Sequence, residues 1–314
     1  MCEELEYTSC PLCDSKDYSN LFVGNDFLFS KKDFVVVTCR TCGLTYTNPR
    51  IKENMIANYY FSDYLPNNET ETPLIIQRIK KIVGHLFEHP YLKIFHELSS
   101  INTKTVLEIG PGSGDLLYFL KEKGLNVCGV EMDSQCCAKI RNKGILCFQG
   151  DLRDVITEIG SKKFDAILLH HAFEHLYDPK RVLCDLYNLL NENGRIILSI
   201  PNFDSIEARL FGKYWKGLDL PRHVAHYDRK SIERLFSEAN FKIIELNNDS
   251  FPSSFIESIG FLFFRRRMPL MIYYLLYYPW KLLAPIHTKL IGSGVMKIVA
   301  VKIGNSHDLL IKEA

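Results

Sequence analysis

From Thr105 onward, apolar runs of strand length alternate with stretches of helical periodicity. The runs are Val106–Ile109, Val127–Val130, Ile145–Phe148, Ala166–Leu169, Ile196–Ile200, Lys242–Leu246 and Met296–Ile303. Between them, Asp115–Lys123, Ser134–Lys143, Arg153–Ile159, Pro179–Asn191 and Arg229–Ala239 carry apolar residues at helical spacing. Such alternation predicts a mostly parallel sheet with helices on both faces, that is, a doubly wound α/β fold of seven strands. The strands are almost continuously apolar, as burial on both faces requires. The last one follows a long insertion and is expected to pair antiparallel.

The chain before this region has a different texture. Residues 1–50 are short strand-like pieces set between cysteine pairs, with Phe34–Thr38 the clearest strand. Residues 51–100 read as a helical linker or lid, with Ile75, Ile76, Ile79, Ile82, Val83, Leu86 and Phe87 on one face. The expected organisation is therefore a small module over 1–50, a helical segment over 51–100, and a main domain over 101–314 with an apolar insertion at about 247–295. A chain of 314 residues has room for one sizeable domain and such an appendage.

Cysteine usage changes the picture most. Ten cysteines are present, and the chain opens on an acidic stretch without the apolar run of a signal peptide, so a cytoplasmic, reducing location is expected. There, paired cysteines point to metal. Cys10-Pro11-Leu12-Cys13 and Cys39-Arg40-Thr41-Cys42-Gly43 are two C-x-x-C knuckles, the usual way to place four thiolates around tetrahedral zinc. Four thiolates leave no open position for water, so the zinc is expected to be structural; a redox dithiol is the alternative. The net charge of +1 provides no bulk attraction to nucleic acid, and none is expected as a partner.

The segment Val106-Leu107-Glu108-Ile109-Gly110-Pro111-Gly112-Ser113-Gly114-Asp115 follows a buried strand and opens a helix. Alternate glycines let backbone approach a ligand closely, and a helix N-terminus favours negative charge. Glu131 ends the second strand, where a carboxylate can accept the hydroxyls of a ribose. Asp151 follows the third, placed to read an adenine amino group. Together they mark an adenosine-binding groove at the C-terminal ends of the strands. A dinucleotide site prefers G-x-G-x-x-G, whereas here the third glycine comes one position earlier and Asp115 takes its place.

The loop resembles the E-x-G-x-G-x-G signature of class I S-adenosylmethionine-dependent methyltransferases, which have a Rossmann-like fold. By that resemblance Glu108, Gly110, Gly112, Gly114, Glu131 and Asp151 bind the cofactor, with Met132, Leu152 and His170 in the same groove and Tyr60 or Tyr64 closing over it. The stretch His171-Ala172-Phe173-Glu174-His175-Leu176-Tyr177-Asp178-Pro179 is similar to one that faces the transferred methyl in many members of this class. Pro221-Arg222-His223-Val224-Ala225-His226 resembles a segment of sugar and small-molecule methyltransferases that also carry an N-terminal zinc ribbon. The resemblance implies methylation of a small hydroxylated acceptor, a nucleotide-linked or lipid-linked sugar of a cell-surface polysaccharide pathway. An aromatic or quinone-precursor O-methyltransferase and a non-catalytic zinc-ribbon binding protein are the rivals.

Methyl transfer to oxygen needs a group that takes the acceptor proton, and a histidine of near-neutral pKa suits it. His226 is the first candidate, followed by His223 and His175, with Glu174 orienting an imidazole; for each histidine a structural hydrogen bond is the plain alternative. A metal-dependent variant uses E-x-x-E-H, but here His171 stands at the first position.

The insertion contains Phe251, Phe255, Phe261, Phe263 and Phe264, then Arg265-Arg266-Arg267, then Tyr273, Tyr274, Tyr277, Tyr278 and Trp280. A hydrophobic cap, a subunit contact such as a homodimer, and a peripheral membrane contact through 251–285 all fit that composition. Pro269, Pro279, Lys281 and Pro285 interrupt the most apolar part, so a transmembrane helix is not expected.

Overall fold

A computed structural model describes residues 4–60, 91–249, 251–290 and 292–303. The strands in chain order are β1 (Leu5–Glu6), β2 (Tyr18–Asn25), β3 (Asp33–Cys39), β4 (Thr45–Thr47), β5 (Arg50–Ile51), β6 (Thr105–Ile109), β7 (Asn126–Glu131), β8 (Leu146–Gln149), β9 (Phe164–His170), β10 (Leu190–Pro201), β11 (Ala225–His226), β12 (Phe241–Asp249) and β13 (Val295–Lys302). The main sheet has seven strands in the order β12-β13-β10-β9-β6-β7-β8. Every strand predicted from Thr105 onward is present. The helical face predicted over 75–87, and Tyr64, lie outside the described residues. Within 51–100 the described pieces are a 3-10 stretch at Glu53–Tyr59 and an α-helix at Leu92–Ser100.

By packing, the chain divides into two compact units. One comprises Phe61–His170 and Asn188–Ile196. In it β6 pairs parallel with both β7 and β9, and β7 with β8. Val106, Leu107, Val130, Ile167, Leu168 and Leu169 are fully or almost fully buried, which accounts for their unbroken apolar sequence. The helices Ser134–Asn142 and Leu152–Ile159 start on Asp133 and Asp151, whose carboxylates accept the N–H groups of Cys136 and Arg153.

The other unit comprises Met1–Tyr60, His171–Tyr187 and Ile197–Ala314. Its cysteine region does not stand apart from the rest of the unit. β2, β3 and β4 form an antiparallel sheet whose fourth strand is β11, with His226 opposite Thr45. Arg222 is buried and ties the same segment to the turn after β2. Its guanidinium donates to Asp26 at 3.0 Å, to Asp219 at 3.1 and 3.2 Å and to the Tyr59 carbonyl at 3.1 Å. A buried guanidinium is tolerable only when so fully partnered. β12 and β13 pair antiparallel, as expected, and between their ends rises a pair of helices, Pro252–Phe264 and Leu270–Leu290.

Candidate cofactor and acceptor sites

The loop between β6 and the helix Asp115–Glu122 is built by its glycines. Gly110, Gly112 and Gly114 all have positive φ, at 69°, 54° and 71°. A Cβ on Gly112 would meet nothing within 4 Å, so its backbone borders open space; one on Gly114 would lie 2.4 Å from Ile140 Cγ1, so that position serves close packing. Glu131, at the end of β7, closes the loop. One of its carboxylate oxygens accepts the Gly112 N–H at 2.8 Å and the other the Asp133 N–H at 2.9 Å. A carboxylate has four acceptor positions in all, so it can take ligand hydroxyls beside such N–H groups. Burial pushes the Glu131 carboxyl above its ordinary value, and those N–H groups work against the rise.

Glu108 is buried at the end of β6, 3.6 Å from His170 Nδ1. Its Oε2 and the His170 Nδ1 have no hydrogen-bond partner among the described residues. A buried carboxylate with an unused oxygen suits a cationic ligand group. Asp151 Oδ1 caps the following helix and accepts from Arg153 Nε at 2.7 Å. Leu152 is buried and Met132 is 62% exposed.

The histidines gather on Glu174, which is 1% exposed. Its Oε1 lies 3.3 Å from His171 Nδ1 and 3.7 Å from His223 Nε2, and the His175 and His223 rings meet edge to face at 4.6 Å. Burial acts to raise the Glu174 carboxyl, but the hydrogen bond from His171 and the fields of His223 and His175 outweigh it and hold it down at about 2. His223 Nδ1 donates to the Gly217 carbonyl at 2.8 Å, and burial brings its ring down to about 4. His226 is 4% exposed, lies in the four-stranded sheet with Nε2 3.3 Å from Thr47 Oγ1, and is brought down by burial to about 3. These are the surroundings of a core histidine, not of the base expected at that position. His175 is half-buried, with Nδ1 2.9 Å from the Tyr60 hydroxyl and 3.0 Å from the Arg222 carbonyl. A carbonyl only accepts, so Nδ1 carries a proton and Nε2 is the nitrogen left for other partners.

Residues 83–246 match the family described as methyltransferase domain. The chain belongs to this family. Its fold is the Rossmann-like fold of class I S-adenosylmethionine-dependent methyltransferases. Over 107 residues it is 32% identical to an uncharacterized methyltransferase of Alkaliphilus oremlandii, covering 33% of this chain and 48% of that protein. A ubiquinone biosynthesis O-methyltransferase of Coxiella burnetii is 26% identical over 123 residues, 38% of this chain and 52% of the relative. The chain thus spans about half the length of these curated relatives. A solved S-adenosylmethionine-dependent methyltransferase of Clostridium acetobutylicum superposes with a TM-score of 0.46 at 12% identity, over 74% of this chain and 98% of that one.

Two further features lie outside the glycine loop. The four sulfurs of Cys10, Cys13, Cys39 and Cys42 are all within 4.8 Å of one another, with Cys10–Cys42 at 3.4 Å and Cys13–Cys39 at 3.5 Å. Tetrahedral zinc with bonds of about 2.3 Å separates its sulfurs by roughly 3.8 Å, so the donor set and its spacing fit that ion. Each knuckle turns on its own backbone: Asp14 N–H donates to the Cys10 carbonyl, and Gly43 N–H, at φ 82°, to that of Cys39. The second feature is His171, which opens the stretch likened to one facing the transferred methyl and departs from the metal motif. It has a positive φ of 51°, its N–H donates to the Ser199 carbonyl, and its ring lies 4.7 Å from Phe251. A strained non-glycine residue directly after β9 was a signal that only backbone geometry could provide.

Proposed function

We propose that the protein transfers a methyl group from S-adenosylmethionine to a hydroxyl of a small polar acceptor, a nucleotide-linked or lipid-linked sugar, and that a structural zinc holds the cysteine knuckles. The observation that carries the reading is the cradle of Glu108, Gly112 and Glu131: a buried carboxylate with an unused oxygen, open space at a positive-φ glycine, and a second carboxylate bound to the loop. In it Glu131 receives the ribose hydroxyls and Glu108 the cationic methionine end. When bound, the cofactor supplies a methyl on a positively charged sulfur, which an oxygen nucleophile can attack.

His175 is the base in this reading. Its Nε2 would take the acceptor's hydroxyl proton, leaving an oxygen nucleophile for the methyl that the bound cofactor would supply. Glu174, kept ionised, stabilises the imidazolium. Tyr60 positions the ring through Nδ1. The polar cluster of Glu174, His171, His175 and Tyr60 supports a hydroxylated acceptor. A quinone-precursor acceptor is the second reading, favoured by the relative named for ubiquinone biosynthesis.

Calorimetric titration of the zinc-loaded protein is the test. Saturable S-adenosylmethionine binding is expected, weakened at least about tenfold in Glu131→Ala; unchanged affinity in that variant overturns the cradle. His175→Ala is expected to bind the cofactor as the parent does and to lose about 100-fold or more in kcat toward a turned-over acceptor.

A further inference from the structure

The helix Leu270–Leu290 is inverted with respect to an ordinary surface helix. Met271, Leu275, Leu276, Leu282, Leu283 and Ile286 are exposed, Leu275 at 73%. Their spacing places them, with exposed Pro279, on one stripe of the helix. The other side holds half-buried tyrosines: Tyr273 stacks with Tyr277 and Tyr274 with Tyr278, while Trp280 stacks on Phe255 of the preceding helix at 4.2 Å. At the turn between the helices Phe263 is 74% exposed, and Arg265, Arg266 and Arg267 follow it, all exposed. A contiguous aliphatic face of this kind marks an interaction surface.

The charge around it selects the occupant. No acidic residue occurs between Glu257 and Asp308, while Arg265, Arg266, Arg267, Lys281 and Lys289 all lie in that span. A second copy of this chain would bring like charge against like charge, whereas anionic headgroups complement it. From Met271 to Ile286 the named residues of the stripe are all apolar and offer a protein partner no side-chain hydrogen bond; exposed Lys289 follows at its end. Among the described residues no helix is long and apolar enough to cross a membrane. The helix is roughly 31 Å long, enough to lie along the interface.

We propose that this helical pair rests on an anionic lipid bilayer, with the aliphatic stripe in the acyl boundary and the basic residues at the headgroups. The pair is joined to the residues assigned to the acceptor through Phe251, just before the first helix, whose ring meets that of His171 at 4.7 Å. If methyl transfer is as proposed, a lipid-linked acceptor is the class this placement serves; lipid binding itself stands apart from that reading.

The test is co-sedimentation of the full zinc-loaded protein with phosphatidylcholine vesicles, with and without phosphatidylglycerol, at low and high salt. Binding to the phosphatidylglycerol vesicles at low salt is expected, reduced by salt and weakened at least about tenfold by Leu275→Glu with Leu282→Glu. Both sites are exposed, and cofactor calorimetry on the variant checks its fold. A parent that binds S-adenosylmethionine but ignores anionic vesicles overturns the lipid proposal and leaves methyl transfer standing. A parent that forms a dimer broken by the same variant, with no vesicle binding, overturns it in favour of a second copy. Vesicle binding without cofactor affinity sustains it while the proposed activity fails.

Discussion

At the scale of single residues, the carboxylates divide by environment. Glu108 and Glu131 were legible because position at a strand end, beside a glycine loop, is a sequence property. Glu207 was not. It lies 5% exposed in the unit with the cysteine sheet, its Oε2 without a partner among the described residues, and burial raises its carboxyl to about 7. Its folded-state pKa is above the ordinary value, so its contribution to stability is present below about 4.5 and is lost as pH rises through about 7. Glu207→Gln removes that loss. The variant is expected to match the parent near pH 4 and to exceed it by on the order of 3 kcal/mol at pH 8 in denaturant titrations. A difference independent of pH would show that the carboxyl is already ionised in the fold. The segment Pro221–His226 holds two residues consumed by burial: Arg222, which the sequence left without a role, in ion pairs with Asp26 and Asp219, and His226, the first candidate base, in a sheet.

At the scale of elements, the glycine loop separates space from strain. Gly112 and Gly114 both need positive φ, but only Gly114 is also crowded by Ile140. Gly114→Ala is therefore expected to lower stability by about 2 kcal/mol or more, through strain plus overpacking. Gly112→Ala is expected to cost about 1 kcal/mol from backbone strain alone, yet to weaken cofactor binding at least about tenfold because its methyl enters the ligand's space. Thermal unfolding and calorimetry on the same two proteins check the contrast; equal effects on stability and affinity in both would contradict this division of roles. The strands themselves were readable because double-sided burial writes itself as an apolar run. The insertion was readable only as apolar and aromatic. That it forms two helices with the aliphatic side outward depends on which face the rest of the unit covers.

At the scale of the whole molecule, the cysteine knuckles hold a sheet that borrows its last strand from Ala225–His226. Metal binding should then stabilise more than the first fifty residues. Elemental analysis is expected to find one zinc per chain, and strong chelation to lower Tm by roughly 5–10 °C, reversed by added zinc. A chain without zinc, or a Tm indifferent to chelation, would remove the thiolate site from the account. The predicted division at residues 50 and 100 followed texture along the chain. Packing divides it differently, because β11 returns to β4 and the Arg222 segment closes on the turn after β2.

What the sequence by itself determined was local: strand and helix periods, the loop that needs glycine, the acids at the strand ends and the paired thiols. Each follows from a residue and its near neighbours in the chain. Tertiary structure decided which histidines keep a usable lone pair, which charges are spent on buried ion pairs, and which face of the last long helix meets the solvent. Those outcomes depend on desolvation, and desolvation is set by residues far away in sequence, such as Thr47 against His226 and Asp26 against Arg222.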